Sequence, residues 1–449
     1  MSLEAKFTFD RAGQGLFYHG QIRSAGQSFT VVYDCGTHNR KVARENLSKV
    51  VDDFNSNNNG HIGLLAISHF DLDHVSHIPE LLRRNKVDTV MLPHIADDLR
   101  VVLFAKSIPK DRRGDSTYLE SDLARLFIDP AGYFVEMDRT RQIKIIGIQA
   151  DDDGSDSDSI NNTPAEPNRG ESQEGRLGLQ YVDGGRYLHE ESNPTKQYSA
   201  YSGVPRYRLE INGLSWLFRP LNIQEKLDDT FYAAVKEIRT RYRGDWYNLL
   251  SNANAIKELT KLYDNYIDKR RRNVHSLLLR HGPDQCSSLM SKIFKNHKDN
   301  KGWFFKRCFI HDAQRYLHLE ECCLNHKECC RSHWDERPTT VLLGDLGLDD
   351  EKAKASLDQH RFLDKKTDVV LIPHHGASSD DLLWLDEKIE NACATLVVSY
   401  GSENTYKHPS FIHDGTIAGV TKSIGFTNEM YKYEYNICFF RPEEFKEND

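Results

Sequence analysis

The sequence ISHFDLDHVSHIP, residues 67–79, is the most informative stretch of this 449-residue chain. It places four side chains that can ligate a metal within six residues: His69, Asp71, Asp73 and His74. The apolar run HIGLLAIS at 61–68 predicts a strand buried on both faces, and HIPELLRR at 77–84 predicts the helix that follows. Because a strand end and a tight loop can direct several side chains to one point, the stretch predicts a metal site.

Two later segments also end in metal-ligating side chains. TTVLLGD at 339–345 is a buried-strand pattern that ends in Asp345, a carboxylate able to bridge two metal ions. DVVLIPHHG at 368–376 predicts another buried strand, followed by His374, His375 and a glycine that permits close backbone approach. Strand alternation alone leaves open which of the two histidines binds metal.

Strand patterns alternate with helical patterns in both the first and the last third of the chain. LFYHGQI at 16–22 alternates as a strand does, and KVARENLSKVVDDF at 41–54 has apolar residues at helical spacing. This order predicts an α/β protein. A hydrophobic content of 39% with 10% aromatic residues is typical of a globular chain.

These motifs carry a family resemblance. The HxDxDH pattern, the strand ending in Gly-Asp and the strand ending in His-His-Gly resemble, in order, the metallo-β-lactamase superfamily. The similarity is closest to the hydrolase domain of ComEC-like competence proteins, on three further segments: AGQG at 12–15, SLLLRHG at 276–282, and VVSYGSENTYKHPS at 397–410. The resemblance implies an αββα sandwich, the metallo-β-lactamase fold, with helical insertions.

The resemblance also implies roles for individual residues. The metal ligands that it implies are His69, Asp71, Asp73, His74, Asp345, His374 and His375. Asp34 resembles the family's first-motif aspartate, which orients the metal loop without binding metal. The segment 404–408 resembles the rim that contacts substrate, through Asn404, Tyr406 and His408. Asp73 and His408 are the predicted catalytic residues, the latter by stabilising an oxyanion or protonating a leaving group.

Two departures from the family pattern bear on the metal. The common HxHxDH motif has a second histidine where this chain has Asp71, and an oxygen donor there favours harder ions such as Mn²⁺ or Mg²⁺. The family's middle histidine, usually found before Ser or Thr in a Gly-His context, has no clear counterpart. We expect two divalent ions, Zn²⁺ or Mn²⁺, that supply a hydroxide nucleophile at neutral pH.

The matching segments divide the chain into core and inserted intervals. The expected intervals are 1–97, the N-terminal half of the fold; 98–205, an insertion with a disordered acidic loop at about 150–175; 206–223 and 274–282, core strands; 224–273, a helical insertion; 283–338, a Cys/His-rich insertion; and 339–449, the C-terminal half.

The Cys/His-rich insertion suggests a further metal site. His318, Cys322, His326 and Cys330 are each four residues apart and share one face of a helix, which is compatible with structural Zn²⁺. The spacing matches no standard zinc finger, and reduced thiols packed in a small core explain the composition equally well.

Charge and composition bear on partners and location. Basic runs interleaved with aromatic residues, at 239–247, 268–273 and 297–307, suggest contact with nucleic acid, whereas the net charge of −8 argues against a protein coated in basic surface. The N-terminal residues show no signal-peptide pattern, and no run of about 18 apolar residues indicates a membrane span. We expect a cytoplasmic protein without membrane contact.

The predicted function is metal-dependent hydrolysis of phosphodiester bonds, most simply by a nuclease. Neither a G-x-S-x-G elbow nor a phosphate-binding P-loop occurs, so serine hydrolases and P-loop NTPases are excluded. Two alternatives stay open: hydrolysis of a small phosphodiester or nucleotide messenger, and a metal-binding interaction subunit that docks a protein partner in a larger complex.

Overall fold

A computed structural model describes most of the chain. The residues that it describes are 3–38, 40–115, 119–137, 143–150, 177–193, 196–223, 227–242, 244–266, 276–284, 290–296, 338–391 and 394–440. The protein is a mixed α/β protein built on two large sheets, so the predicted α/β class is confirmed. Residues 151–175 of the expected acidic loop lie outside the described residues. The whole Cys/His group at 318–330 lies outside them as well.

The first sheet has ten strands, in the spatial order β13-β18-β1-β2-β3-β4-β5-β6-β9-β8. Its strands are β1 (Leu3–Phe9), β2 (Gly15–Ser24), β3 (Gln27–Thr37), β4 (His61–Ala66), β5 (Lys86–Pro93), β6 (Lys144–Gln149), β8 (Arg186–Asn193), β9 (Lys196–Ser202), β13 (Met290–Asn296) and β18 (Tyr433–Phe440). From β3 to β9 neighbouring strands are parallel, and the outer pairs are antiparallel.

The second sheet has eight strands, in the order β17-β16-β15-β14-β12-β11-β10-β7. Its strands are β7 (Gln180–Asp183), β10 (Arg206–Ile211), β11 (Leu214–Asn222), β12 (Leu277–Pro283), β14 (Thr339–Leu342), β15 (Thr367–Leu371), β16 (Thr395–Ser399) and β17 (Ser423–Thr427). The four strands from β14 to β17 are parallel. Both sheets therefore contain a parallel block whose carboxyl ends can carry a site.

Twelve α-helices occur in the described residues. They are α1 (Lys41–Asn57), α2 (Leu72–Val75), α3 (Ile78–Leu82), α4 (Asp97–Ser107), α5 (Asp122–Ile128), α6 (Pro130–Met137), α7 (Asp229–Arg241), α8 (Trp246–Leu250), α9 (Ala253–Tyr266), α10 (Glu351–Gln359), α11 (Ser379–Lys388) and α12 (Ser410–His413). None of these described helices has the length and apolar character required to cross a membrane.

Three apolar cores hold the sheets and helices together. One core lies between the two sheets, a second joins the first sheet to helices including α1, α4 and α9, and a third joins the second sheet to α10 and α11. Strand β4 shows the alternation, because Leu64 belongs to the core between the sheets and Leu65 to the helix-side core. The predicted burial of this strand on both faces is confirmed.

Two of the intervals expected as insertions contribute strands to the first sheet. The interval 98–205 supplies β6, β8 and β9, which extend the parallel block beyond β5. The interval 283–338 supplies β13, which pairs with β18 at the far edge. Strand β6, with the sequence KIIGIQ, is short and apolar. The residues around it in the sequence do not indicate that it pairs with β5.

A buried histidine between the sheets makes unfolding depend on pH. His281 of β12 is 1% exposed, its Nε2 lies 2.8 Å from Tyr18 Oη, and burial lowers its pKa to about 3. In the unfolded chain the pKa of His281 is about 6.5. Below that pH the unfolded state therefore binds a proton at His281, whereas the folded state does not. We expect His281 to cost about 2 kcal/mol of stability as the pH falls from 6.5 to 5.

Urea unfolding at pH 7 and pH 5 tests this expectation. The matched variant is His281→Phe, which keeps a ring in the space between Phe7 and Trp216 but cannot titrate. Stability of the variant should fall less over this range than that of the wild type. Equal pH dependence of the two proteins would contradict the assignment.

Candidate metal centre

The segment 67–75, which follows β4 and is hereafter called the metal loop, is held in place by Asp34 of β3. The backbone of Asp34 adopts a positive φ of 57°, which aspartate tolerates better than most residues. Its carboxylate accepts hydrogen bonds from Ser68 N at 2.6 Å, from Ser68 Oγ at 2.5 Å and from His74 Nδ1 at 2.8 Å. Asp34 is fully buried and therefore orients the loop from behind.

Three histidines, His69, His74 and His375, each direct Nε2 toward Asp345. His74 donates Nδ1–H to Asp34, and His375 donates Nδ1–H to the carbonyl of Ser399 at 2.8 Å. His69 Nδ1 lies 2.9 Å from Ser68 Oγ, whose own proton goes to Asp34, so His69 is the donor there. With Nδ1 protonated in each ring, Nε2 is the atom left for a metal. All three Nε2 atoms are buried and have no hydrogen-bond partner among the described residues.

Two carboxylates complete the cluster. Asp345, which follows β14, has Oδ1 3.2 Å from His74 Nε2 and 4.0 Å from His375 Nε2. Asp73 Oδ2 lies 3.4 Å from His375 Nε2. Ligand atoms of four residues, Asp73, His74, Asp345 and His375, lie within 4.8 Å of one another. This buried group, hereafter the four-residue cluster, could hold a metal ion.

His69 and Asp71 lie beside the four-residue cluster. His69 Nε2 is 3.8 Å from Asp71 Oδ2 and 3.9 Å from Asp345 Oδ2. The side chain of Asp71 is 43% exposed, whereas that of Asp345 is 6% exposed. The structure therefore puts Asp345 between two sets of potential ligands.

The structure distinguishes the two adjacent histidines that the sequence did not. His375 belongs to the four-residue cluster, and His374 does not. Both residues have left-handed backbone angles, with φ of 54° and 53°, so they do not continue the alternation of β15. His374 is half-buried, in keeping with a position outside the cluster.

The histidines and carboxylates of the cluster shift one another's pKa values. Burial lowers the pKa of His74, but the carboxylates of Asp345 and Asp34 outweigh burial and raise it well above its usual value. Burial raises the pKa of Asp73, but contact with His375 and the charge of His74 outweigh it and lower the pKa to about 2. A metal must therefore displace protons from imidazole nitrogens, so its affinity should rise with pH.

Two glycines of the first sheet allow the metal loop to pack closely. A Cβ on Gly36 would lie 2.5 Å from the carbonyl carbon of His74 and 2.6 Å from that of Asp73. A Cβ on Gly15 would meet the backbone of Gly36 and lie 2.6 Å from the Asp73 carbonyl oxygen. The sequence singles out AGQG only through its family resemblance and does not reveal this contact with the loop.

The three predicted rim residues, Asn404, Tyr406 and His408, differ from one another in exposure and in contacts. Asn404 donates to the carbonyls of Gly401 and His408 and accepts from His408 N at 2.9 Å, so its side chain braces the loop. Tyr406 is 61% exposed. Burial, followed by the charges of His375 and His374, lowers the pKa of His408 to about 4, so its ring is neutral near pH 7.

One of the predicted nucleic-acid segments lies largely within the described residues. In the segment 239–247, Arg241 is ion-paired with Glu237 and Glu258, and the guanidinium of Arg239 stacks over Trp246 at 4.4 Å. These arginines are already partnered within the protein. The segments at 268–273 and 297–307 lie outside the described residues.

No protein-family model matches the chain, and no curated protein matches its sequence.

Replacing Asp34 with asparagine should weaken metal binding about 10- to 100-fold, because His74 loses the charged acceptor that orients its ring. Asparagine tolerates the positive φ, so the backbone should be retained. Chelator-competition titration with Zn²⁺ or Mn²⁺ measures the effect. The control is Asp88→Asn, which alters an Asp–His pair of the same 2.8 Å length, with His61, away from the cluster. Equal affinities of the two variants would contradict the role of Asp34.

Proposed function

We propose that this chain is a metallo-β-lactamase-fold hydrolase that cleaves phosphodiester bonds, and that its substrate is nucleic acid. The observation that supports it most is the convergence of three buried Nε2 atoms, those of His69, His74 and His375, on the carboxylates of Asp345 and Asp73 at 3.2–4.0 Å. None of these nitrogens makes a hydrogen bond within the described residues, although each lies within ion-pair distance of a carboxylate. A divalent cation satisfies imidazole and carboxylate together.

Ligands from both sheets suit a centre with two ions. Asp73, His74 and His375 would hold one ion, His69 and Asp71 a second, and Asp345 would lie between them. Divalent ions bound there would make hydroxide available near pH 7 and neutralise charge on a phosphoryl oxygen. The carboxylate of Asp71 favours harder ions such as Mn²⁺ at the second position.

His408 has the position and protonation state of a hydrogen-bond donor. Its Nδ1 is buried and has no partner among the described residues, and the ring is neutral near pH 7. A neutral imidazole donates one N–H, which suits stabilisation of a developing oxyanion better than full protonation of a leaving group. Of the two roles that the sequence left open for His408, the neutral ring favours stabilisation of an oxyanion over protonation of a leaving group.

A cavity near the metal loop bears on the small-molecule alternative. It has a volume of about 770 Å³, within the size range of ligand sites, and its wall includes Leu72 of α2 and Ser76, which follows that helix. Its wall includes Arg44, Arg83 and Arg112 but also three carboxylates, and it contains no residue of the four-residue cluster. The cavity therefore lies beside the cluster without including it, and it gives little support to a small nucleotide substrate.

The test is metal-dependent cleavage by stripped protein given back Mn²⁺, Mg²⁺ or Zn²⁺. Substrates are single- and double-stranded DNA, RNA and bis(p-nitrophenyl) phosphate, and the paired variants are Asp73→Asn and the surface change Asp53→Asn. Metal-dependent polymer cleavage that only Asp73→Asn abolishes is the expected result. Turnover of the small ester alone would support the messenger alternative. Metal binding without any turnover would support the interaction subunit.

A further inference from the structure

Three aromatic rings form a row at the rim of the metal centre. The ring of Tyr406 lies 6.4 Å from that of His38, edge to face, and 5.7 Å from that of His408 at a tilt of 32°. Tyr406 is 61% exposed, among the most exposed large hydrophobic side chains of the described residues. His408 is half-buried, and its loop contacts the residue that follows His375, because Ser410 Oγ donates to the carbonyl of Gly376 at 3.2 Å. The row therefore leads from solvent toward the cluster.

Two cations flank the exposed ring. Lys407 follows Tyr406 directly, and Arg40 donates to the carbonyl of Glu403 in the same loop. No carboxylate in the described part of the chain lies within ion-pair distance of Arg40 or Lys407. Most arginines on the helices behave differently, as Arg241 does with its two glutamates. Positive charge at this rim is thus available for an anionic ligand.

The loop that carries Tyr406 is fixed by hydrogen bonds at both ends. Asn404 bonds the backbone of His408 in both directions, Gln14 Oε1 accepts from Gly401 N at 3.1 Å, and Glu429 Oε2 accepts from Ser402 N at 3.0 Å. A ring on a fixed loop loses little freedom when it binds a flat partner. An exposed tyrosine held in this way is pre-organised for stacking.

We propose that Tyr406 stacks on a nucleobase next to the cleaved phosphodiester, while Lys407 and Arg40 hold flanking phosphates. An aromatic ring with adjacent cations is the combination that binds single-stranded nucleic acid without reading its sequence. A paired base has its faces covered by its neighbours, so the site selects single strands or frayed ends. This inference rests on the proposed function and names the substrate form of the same site.

The first test measures stacking without catalysis. Metal-free protein is titrated with a short single-stranded DNA that contains 2-aminopurine at each position in turn. Stacking on Tyr406 should quench the fluorescence at one or two positions, Tyr406→Phe should retain the quenching, and Tyr406→Ala should lose it with a Kd increase of about 5- to 100-fold. Tyr266→Ala, which removes a tyrosine that is 43% exposed and remote from the rim, is the control.

The second test is an abasic scan with metal-loaded protein on single-stranded DNA and RNA. The wild type should cleave more slowly when the missing base lies at one fixed offset from the cut, and Tyr406→Ala should show no such position. Uniform cleavage across the scan, or quenching that survives in Tyr406→Ala, overturns the stacking role but leaves the nuclease proposal intact. Failure to cleave any oligonucleotide with metal bound overturns both.

Discussion

The Asp345→Ala protein should bind metal far more weakly, and the rate of the proposed phosphodiesterase reaction should fall at least about 10³-fold. Asp345 faces Nε2 of His69, His74 and His375 at 3.2–4.0 Å, so its removal affects every set of ligands at once. Metal ions contribute several kcal/mol of transition-state stabilisation, and each 1.36 kcal/mol is tenfold in rate. Metal content by atomic emission and rate with bis(p-nitrophenyl) phosphate are the measurements.

The matched control for Asp345 is His374→Ala, because His374 adjoins a ligand but lies outside the four-residue cluster. We expect it to retain metal at wild-type stoichiometry. A variant at Asp345 that kept both metal and rate would contradict the central position given to this carboxylate. Loss of metal from His374→Ala would instead indicate that His374 is also a metal ligand.

The Gly36→Ala protein should fold but bind metal about 10- to 100-fold more weakly, as when residues that support metal ligands are changed. The added methyl would meet the backbone of Asp73 and His74 at 2.5–2.6 Å, and backbone cannot rotate away as a side chain can. The metal loop must therefore shift, and a displacement of about 1 Å in a catalytic centre can cost about 10²-fold in rate. Metal titration and the rate with added metal measure this loss.

A second glycine isolates the effect of the contact. Gly419→Ala adds the same methyl where no heavy atom lies within 4 Å, so metal binding should not change. Circular dichroism and urea unfolding of both variants separate a displaced loop from an unfolded protein. Wild-type metal affinity in a folded Gly36→Ala protein would show that the loop does not need this close approach.

Local sequence predicted the pieces of the site better than their assembly. Residues 67–79 predicted the metal loop because a buried strand, a ligand-rich loop and a helix follow one another without interruption. The sequence could not choose between His374 and His375, because both adopt left-handed backbone angles that strand alternation does not describe. In the structure His375 joins the four-residue cluster, and its Nδ1 lies 2.8 Å from the carbonyl oxygen of Ser399.

Contacts between distant segments were beyond the reach of sequence patterns. Strand β13 pairs with β18, about 140 residues later in the chain, and β6 pairs with β9 across the segment 151–176. The closeness of Gly36 to the metal loop is also non-local, since a glycine in a sequence does not reveal what lies opposite it. Segments expected as insertions thus joined a sheet because pairing partners are chosen in three dimensions.

Because the four-residue cluster draws ligands from loops of both sheets, a bound ion acts as a cross-link between the two halves of the protein. Asp73 and His74 follow a strand of the first sheet, and Asp345 and His375 follow strands of the second. An ion that binds only the folded state at 100 times its Kd adds about 2.7 kcal/mol to the free energy of unfolding. The melting temperature should therefore rise with free metal concentration, even in the absence of substrate.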